Sequence, residues 1–192
     1  MKKSIIILTA MLSLLGAKAS AQRLLPGMST LEVRADMVDG FFTGNSRDCG
    51  FAFGVYYNYL KSNANYWSFG GEYLQTYKPY GEKGRIPVAQ FTGEVGYNLH
   101  LISDYSQTFH LFGGISALGG YETVNWGEST LKDGSTLHDE DAFIYGGAVT
   151  LKADFYLTDN FALGLHIKER FIFGNDTGHF RFQYGIGASY TF

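Results

Sequence analysis

From Phe180 to Phe192 the chain alternates without a fault, and few folds tolerate that pattern. Counting back in steps of two gives Phe192, Tyr190, Ala188, Ile186, Tyr184, Phe182 and Phe180. The residues between them are Thr191, Ser189, Gly187, Gly185, Gln183 and Arg181. A β-strand sends successive side chains to opposite faces, so one face is apolar and aromatic while the other is polar or bare. The run exceeds the roughly five or six residues of an ordinary strand. It suffices for the about nine to eleven that cross a bilayer at a tilt. It reads as the closing strand of an outer-membrane barrel.

The N-terminus reads as an export signal spanning residues 1–21. Lys2 and Lys3 precede an apolar run from Ile5 to Leu15, followed by small residues at Ala17, Ala19 and Ala21. That order is the signature of a cleaved leader. The expected cut follows Ala21, with one after Ala19 as the competitor, and no cysteine stands nearby to carry a lipid. The leader contains three of the 15 basic residues and none of the 18 acids. The remaining 171 residues therefore hold 12 bases and 18 acids, net −6. Such a balance argues against direct nucleic-acid binding, which needs a basic surface. The single cysteine, Cys49, excludes an internal disulfide. Beyond the leader no stretch approaches the ~20 apolar residues of a membrane helix. A membrane protein without helices must be a closed barrel, because lipid satisfies no backbone polar group.

The same two-face reading predicts an eight-stranded antiparallel up-and-down transmembrane β-barrel over residues 31–192, preceded by a periplasmic segment, 22–30. The strands are 31–38, 50–59, 66–77, 89–99, 107–122, 142–156, 161–173 and 180–192. Phe112 and Leu118 fall on the inner face and blur the fifth strand. Glu169 falls on the lipid face and is expected at the outer interface, where a charge costs little. Connections after the second, fourth and sixth strands are short, and those at 39–49, 78–88 and 123–141 are longer. Outer-membrane barrels have short periplasmic turns and longer extracellular loops, so both termini are expected in the periplasm. The connection at 174–178 is a short exception. A lipocalin-like barrel would turn its apolar face inward and leave the charged face outside. Tyr57, Tyr59, Trp67, Tyr97, Tyr121 and Tyr190 fit interfacial girdles.

The inner face collects Glu32, Asp36, Glu72, Glu94, Glu122 and Asp154 against Arg34, Lys152, Lys168, Arg170 and Arg181, with His110, His166 and His179. An interior bounded by eight strands is only wide enough for side chains, and buried charges need partners. The prediction is a bridged, hydrogen-bonded plug and no pore. Inner glycines Gly54, Gly70, Gly114, Gly146, Gly164 and Gly187 relieve crowding.

On paper the inner histidines, Ser116 and Glu94 suggest a triad, but nothing in their spacing provides a nucleophile reachable from lipid. No catalytic residue and no cofactor is expected. The longest loop, 124–141, carries Trp126, Glu128, Asp133, Asp139, Glu140 and Asp141. Its acids could ligate calcium, but without EF-hand spacing a solvated acidic loop is the simpler reading. Loops on a rigid scaffold commonly carry binding, so these six residues form the candidate partner loop.

Six segments stand out: Gln22-Arg23-Leu24-Leu25-Pro26-Gly27, Arg85-Ile86-Pro87, Gly120 through Glu128, Asp133-Gly134-Ser135, Glu140 through Gly146, and Tyr156-Leu157-Thr158-Asp159. They resemble the TraO family of conjugative-transposon transfer proteins. Together they span nearly the whole chain after the leader, with 120–146 the most specific stretch. The resemblance implies a small outer-membrane protein that works beside other conjugation-apparatus proteins, and it brings no catalytic residues. The final strand also resembles the signal read by barrel-insertion machinery, through Gly187, Tyr190 and Phe192, with Gly185 where a polar residue is usual. The function expected is a non-enzymatic structural or docking component of a transfer apparatus, seated in outer-membrane lipid. The alternatives are a general surface barrel binding a host or envelope component through its loops, and a lipid-modifying barrel enzyme.

Overall fold

The computed structural model describes residues 24–40, 49–80, 84–128, 136, 141–175 and 178–192. The alternating segments become β1 (Ser29–Val38), β2 (Gly50–Leu60), β3 (Tyr66–Tyr80), β4 (Gly84–Ser103), β5 (Phe109–Val124), β6 (Ala142–Tyr156), β7 (Phe161–Phe173) and β8 (Phe180–Thr191). Each pairs antiparallel with the next, and β1 pairs with β8, closing an eight-stranded barrel. The seam is sealed to its last residue. Ser29 and Phe192 exchange backbone bonds of 3.0 and 2.8 Å, and the hydroxyls of Thr30 and Thr191 meet at 3.1 Å. Residues 1–23, which include the expected leader, Gln22 and Arg23, lie outside the described residues.

The register fixes the shape. From Ser29 the paired residues run Tyr59, Trp67, Tyr97, Ile115, Val149, Glu169 and Phe182. Phe182 then bonds the backbone of Asp39, ten residues beyond Ser29 on the same chain segment. With about 3.3 Å per residue and about 4.8 Å between strands, that offset tilts the strands by about 41° and sets a Cα radius of about 8 Å. Each residue climbs about 2.5 Å along the axis.

Heights measured from Ser29 then separate two aromatic rings on the outer face. Tyr59, Trp67, Phe155, Phe161 and Tyr190 stand between about −1 and 6 Å, and Tyr121, Tyr145, Phe173 and Phe180 between about 26 and 29 Å. The rings are about 25 Å apart, the height of the apolar band of an outer-membrane barrel. Between them the outward side chains, Glu169 apart, are aliphatic or aromatic, including Val33, Val55, Val95, Ile115, Leu151 and Ile186.

The two ends differ. At the turn end, Leu25-Pro26-Gly27-Met28 is a tight turn, with the Met28 N–H on the Leu25 carbonyl at 3.3 Å and Gly27 at φ 92°. That positive φ is the conformation a Pro-Gly turn requires and glycine supplies. It folds Leu24 and Met28 under the barrel against Leu60, Tyr66 and Phe112. At the loop end β3 and β4 run on as a hairpin to about 40 Å, more than about 10 Å above the upper ring. This corrects the reading of 78–88 as a loop. Tyr77 pairs with Pro87 and Pro79 with Arg85. Among the described residues both prolines lie beyond the pairing of their strand with its other neighbour, since β2 begins at Gly50 and β5 pairing stops at Val88. An edge is where a strand tolerates proline.

The inner face is tiered. Phe112 belongs to the apolar tier at the turn end, whereas Leu118 packs with Ile144, Ala148 and Ile172 towards the loop end. Polar and ionic groups fill the space between. The two residues that blurred the inner face are thus part of how the barrel is stoppered.

Candidate functional site

The strands bring distant charges together across the narrow interior. Lys168 Nζ donates to Glu72 Oε2 at 2.7 Å, to Glu94 Oε2 at 2.9 Å and to the Tyr56 hydroxyl at 3.1 Å. Tyr56 in turn donates to Glu72 Oε2 at 2.8 Å. The other oxygen of Glu72 accepts from Arg170 Nη1 at 2.9 Å and Gln183 Nε2 at 2.8 Å. Arg170 also donates to Thr92 at 3.0 Å, and Ser116 to Glu94 at 2.8 Å. A carboxylate has about four acceptor sites, and Glu72 uses them fully.

A second cluster lies towards the turn end. Glu32 accepts from Arg34 Nε at 2.9 Å, Asn58 at 3.0 Å and Lys152 Nζ at 2.8 Å. Lys152 also reaches Asp154 at 3.0 Å. The Arg34 guanidinium lies 4.2 Å over the Tyr56 ring and links the clusters. That ring fits because its neighbours are glycines. A Cβ on Gly54 would lie 2.6 Å from it, and one on Gly70 would overlap it. His166 Nε2 stands 2.7 Å from Asp36 Oδ1, a close contact whose ring direction is not that of a hydrogen bond. Near the loop end Glu122 accepts from Gln90 at 2.6 Å and Asn175 at 2.7 Å.

Two residues assigned to the plug lie elsewhere. Arg181 is partly exposed at the loop-end rim and pairs with Asp39 at 3.2 Å. His179 is exposed there, its Nδ1 3.0 Å from the Ile172 carbonyl. Both lie at the loop-end rim: the Arg181 guanidinium turns towards Asp39 although its Nε stays buried, and His179 precedes the strand. The network also includes groups the charge pattern passed over: Tyr56, Asn58, Gln90, Thr92, Gln183 and Asn175. For Tyr56 a signal was present, an aromatic on the polar face with glycines at inner positions beside it. His100 lies in β4 and not in the turn expected at 100–106: the strand continues through a bulge at Leu101, and His100 Nε2 lies 3.2 Å from His110 Nδ1.

Ser116 bonds only Glu94 among the described residues, and the histidines have other neighbours. No group of three potential metal-ligating His, Cys, Asp or Glu occurs among the described residues.

The rims carry the remaining candidates. Asn125, Trp126 and Gly127 all have positive φ, of 51°, 58° and 81°. A bulky residue in that region is strained, and the turn is held by Asn125 Nδ2 on the Glu128 carbonyl at 2.9 Å. Trp126 and Glu128 are exposed. Asp141 ties the loop down, accepting from the Val124 N–H and the Tyr121 hydroxyl, each at 3.1 Å. Asp133, Asp139 and Glu140 lie outside the described residues. On the hairpin, Tyr73 donates to Gln75 at 2.6 Å, Gln75 to Tyr77 at 2.9 Å, and Arg85 covers the Tyr77 ring at 4.7 Å. Tyr190 and Phe192 project outward at the turn end. Gly187 faces inward, where a Cβ would lie 3.0 Å from Glu32 Oε1.

An apolar band, paired aromatic rings and a filled polar interior define a small outer-membrane β-barrel. Solved structures of that class share the fold. Neisserial surface protein A matches at 14% identity over 86% of this chain and 99% of its own, with a TM-score of 0.56. OprG from Pseudomonas aeruginosa matches at 12% identity over 90% and 99%, with a TM-score of 0.60. Ail, the attachment invasion locus protein of Yersinia pestis, in complex with the heparin analogue sucrose octasulfate, matches at 17% identity over 88% and 100%, with a TM-score of 0.52. No curated protein matches the chain in sequence. The family model of the conjugative transposon protein TraO matches residues 25–192, and the chain belongs to that family.

Proposed function

We propose that this chain is exported, loses residues 1–21, and serves in the outer membrane as a non-enzymatic docking component of a conjugative transfer apparatus. Its short turns and Leu24–Met28 face the periplasm, and its long connections face outward. The observation that carries this reading is the packed interior in a member of this family: with the lumen occupied by interlocked side chains, the contribution to transfer must come from surfaces. Trp126, displayed on a strained turn, and the raised β3–β4 hairpin are the surfaces best placed to meet a partner outside the bilayer.

The test is deletion and complementation in cells carrying the complete element. Deletion abolishes transfer with normal envelope integrity, wild type restores it, and Trp126→Gly restores folded barrel but not full transfer. Normal transfer after deletion would remove the docking role. It would favour instead a surface barrel that binds a host or envelope component, a reading the raised hairpin also suits.

A further inference from the structure

Glu169 is the one formal charge on the outer face between the two aromatic rings, among the described residues. It stands at about 19 Å, about 5 Å above the middle of the band and at least about 7 Å below the upper ring. A glutamate side chain does not span that gap, so the interface anticipated for it is out of reach. Its strand neighbours across the sheet are Val149 and Phe182. No hydrogen bond or ion pair joins it to another described residue. Gly147 leaves the sheet bare on one side of it. Below it lies a shallow, open depression of the outer face, about 420 Å³, lined by residues that include Leu151, Leu165, Ile167, Tyr184 and Ile186.

We infer that the β6–β7–β8 face, centred on Glu169, is an intramembrane docking site for a membrane-spanning segment of another protein bearing a lysine or arginine at the same depth. An ionised carboxylate in hydrocarbon is costly without a cation. Acyl chains supply none at this depth. A second copy supplies none either, since no lysine or arginine lies on the outer face between the rings among the described residues. Ionised or neutral, the carboxyl has no partner among the described residues, so the complementary group is drawn from a different chain, and the apolar side chains around it seat the rest of that segment. The inference rests on the docking reading and names the chemistry of its partner.

The experiment uses the full chain in cells carrying the complete element, with a photo-crosslinking residue at Ile167 or Phe182, and at Val95 on the far side of the barrel. The expected result is an adduct with another membrane protein from the first two positions only, mapped beside a lysine or arginine within its membrane span. Glu169→Gln, which keeps the shape and removes the charge, lowers that adduct by at least about tenfold, whereas Glu169→Asp retains it. Equal adducts with Glu169→Gln, adducts from Val95 alone, adducts only between copies, or none with protein would each overturn the inference. Transfer measured in the same strains separates the two failures. Normal transfer without the chain defeats the docking reading itself. Transfer that needs the chain, with the adduct indifferent to the charge at 169, defeats only the assignment of this face.

Discussion

The middle of the barrel and its turn end fill the same narrow cross-section by opposite means. Around Glu72 and Lys168 the space is taken by ion pairs that satisfy one another at 2.7–2.9 Å. Around Phe112 it is taken by apolar packing, with Tyr66 edge-on at 5.2 Å between ring centres. The difference lies in how each tier fails. Removing one member of the ionic tier strands a charge in a volume that has no other means of solvating it. Removing a member of the apolar tier leaves a void that neighbours close only in part.

The sharpest break is therefore Lys168→Met. It leaves Glu72 and Glu94 facing each other without their shared ammonium, and a loss of about 3–5 kcal/mol of unfolding free energy is expected. Denaturant titration of the barrel in lipid vesicles, read by tryptophan fluorescence, measures it. Adding Glu94→Gln to Lys168→Met recovers a substantial part of the loss, because the pair is then neutral on both sides. A double variant no better than the single would mean that the contact is packing and not charge.

Phe112→Ala comes next, at about 3 kcal/mol for the buried ring and its cavity. No charge-neutralising second change rescues it; only refilling the volume does, as in Phe112→Leu, which keeps most of the stability. If Phe112→Ala were instead rescued by altering His100 or His110, both within ring contact of it, the turn end would be a polar network as well, and the contrast would dissolve.

Much of this was legible along the chain, and the missing part has a physical reason. Alternation identifies strands and faces because its period is local, and all eight strands follow from it. Which inner charge meets which is not local. Lys168 on β7 reaches Glu72 on β3 and Glu94 on β4 because the ladder climbs ten residues per circuit, an offset no single strand records. Arg181 carries the right parity for the interior, yet its guanidinium ends on Asp39 at the rim, since parity gives the face and not the level at which a long side chain ends. Glu169 shows the same gap on the outside. The β3–β4 hairpin was hidden by Pro79 and Pro87, which break a central strand yet suit an edge.

The smallest effect lies beyond the barrel wall and refines the turn end. Asp104, fully exposed in the turn joining β4 to β5, accepts the Phe109 N–H at 2.8 Å. That bond and others from the turn backbone favour the ionised form, so its carboxyl is held below the usual carboxylate range. A group whose acidity is raised by folding stabilises the fold above its unfolded value. The contribution is lost as pH falls through the lower, folded value. Acidification through that range should thus fray the 104–108 turn first, seen as faster exchange of the Phe109 amide while the Phe112 amide stays protected. Asp104→Asn, which keeps an acceptor but no titrating charge, should flatten that pH dependence. Phe112 exchanging in step with Phe109 would show that the turn and the apolar tier open as one unit. The turn end would then owe its closure to the connection as much as to the packing above it.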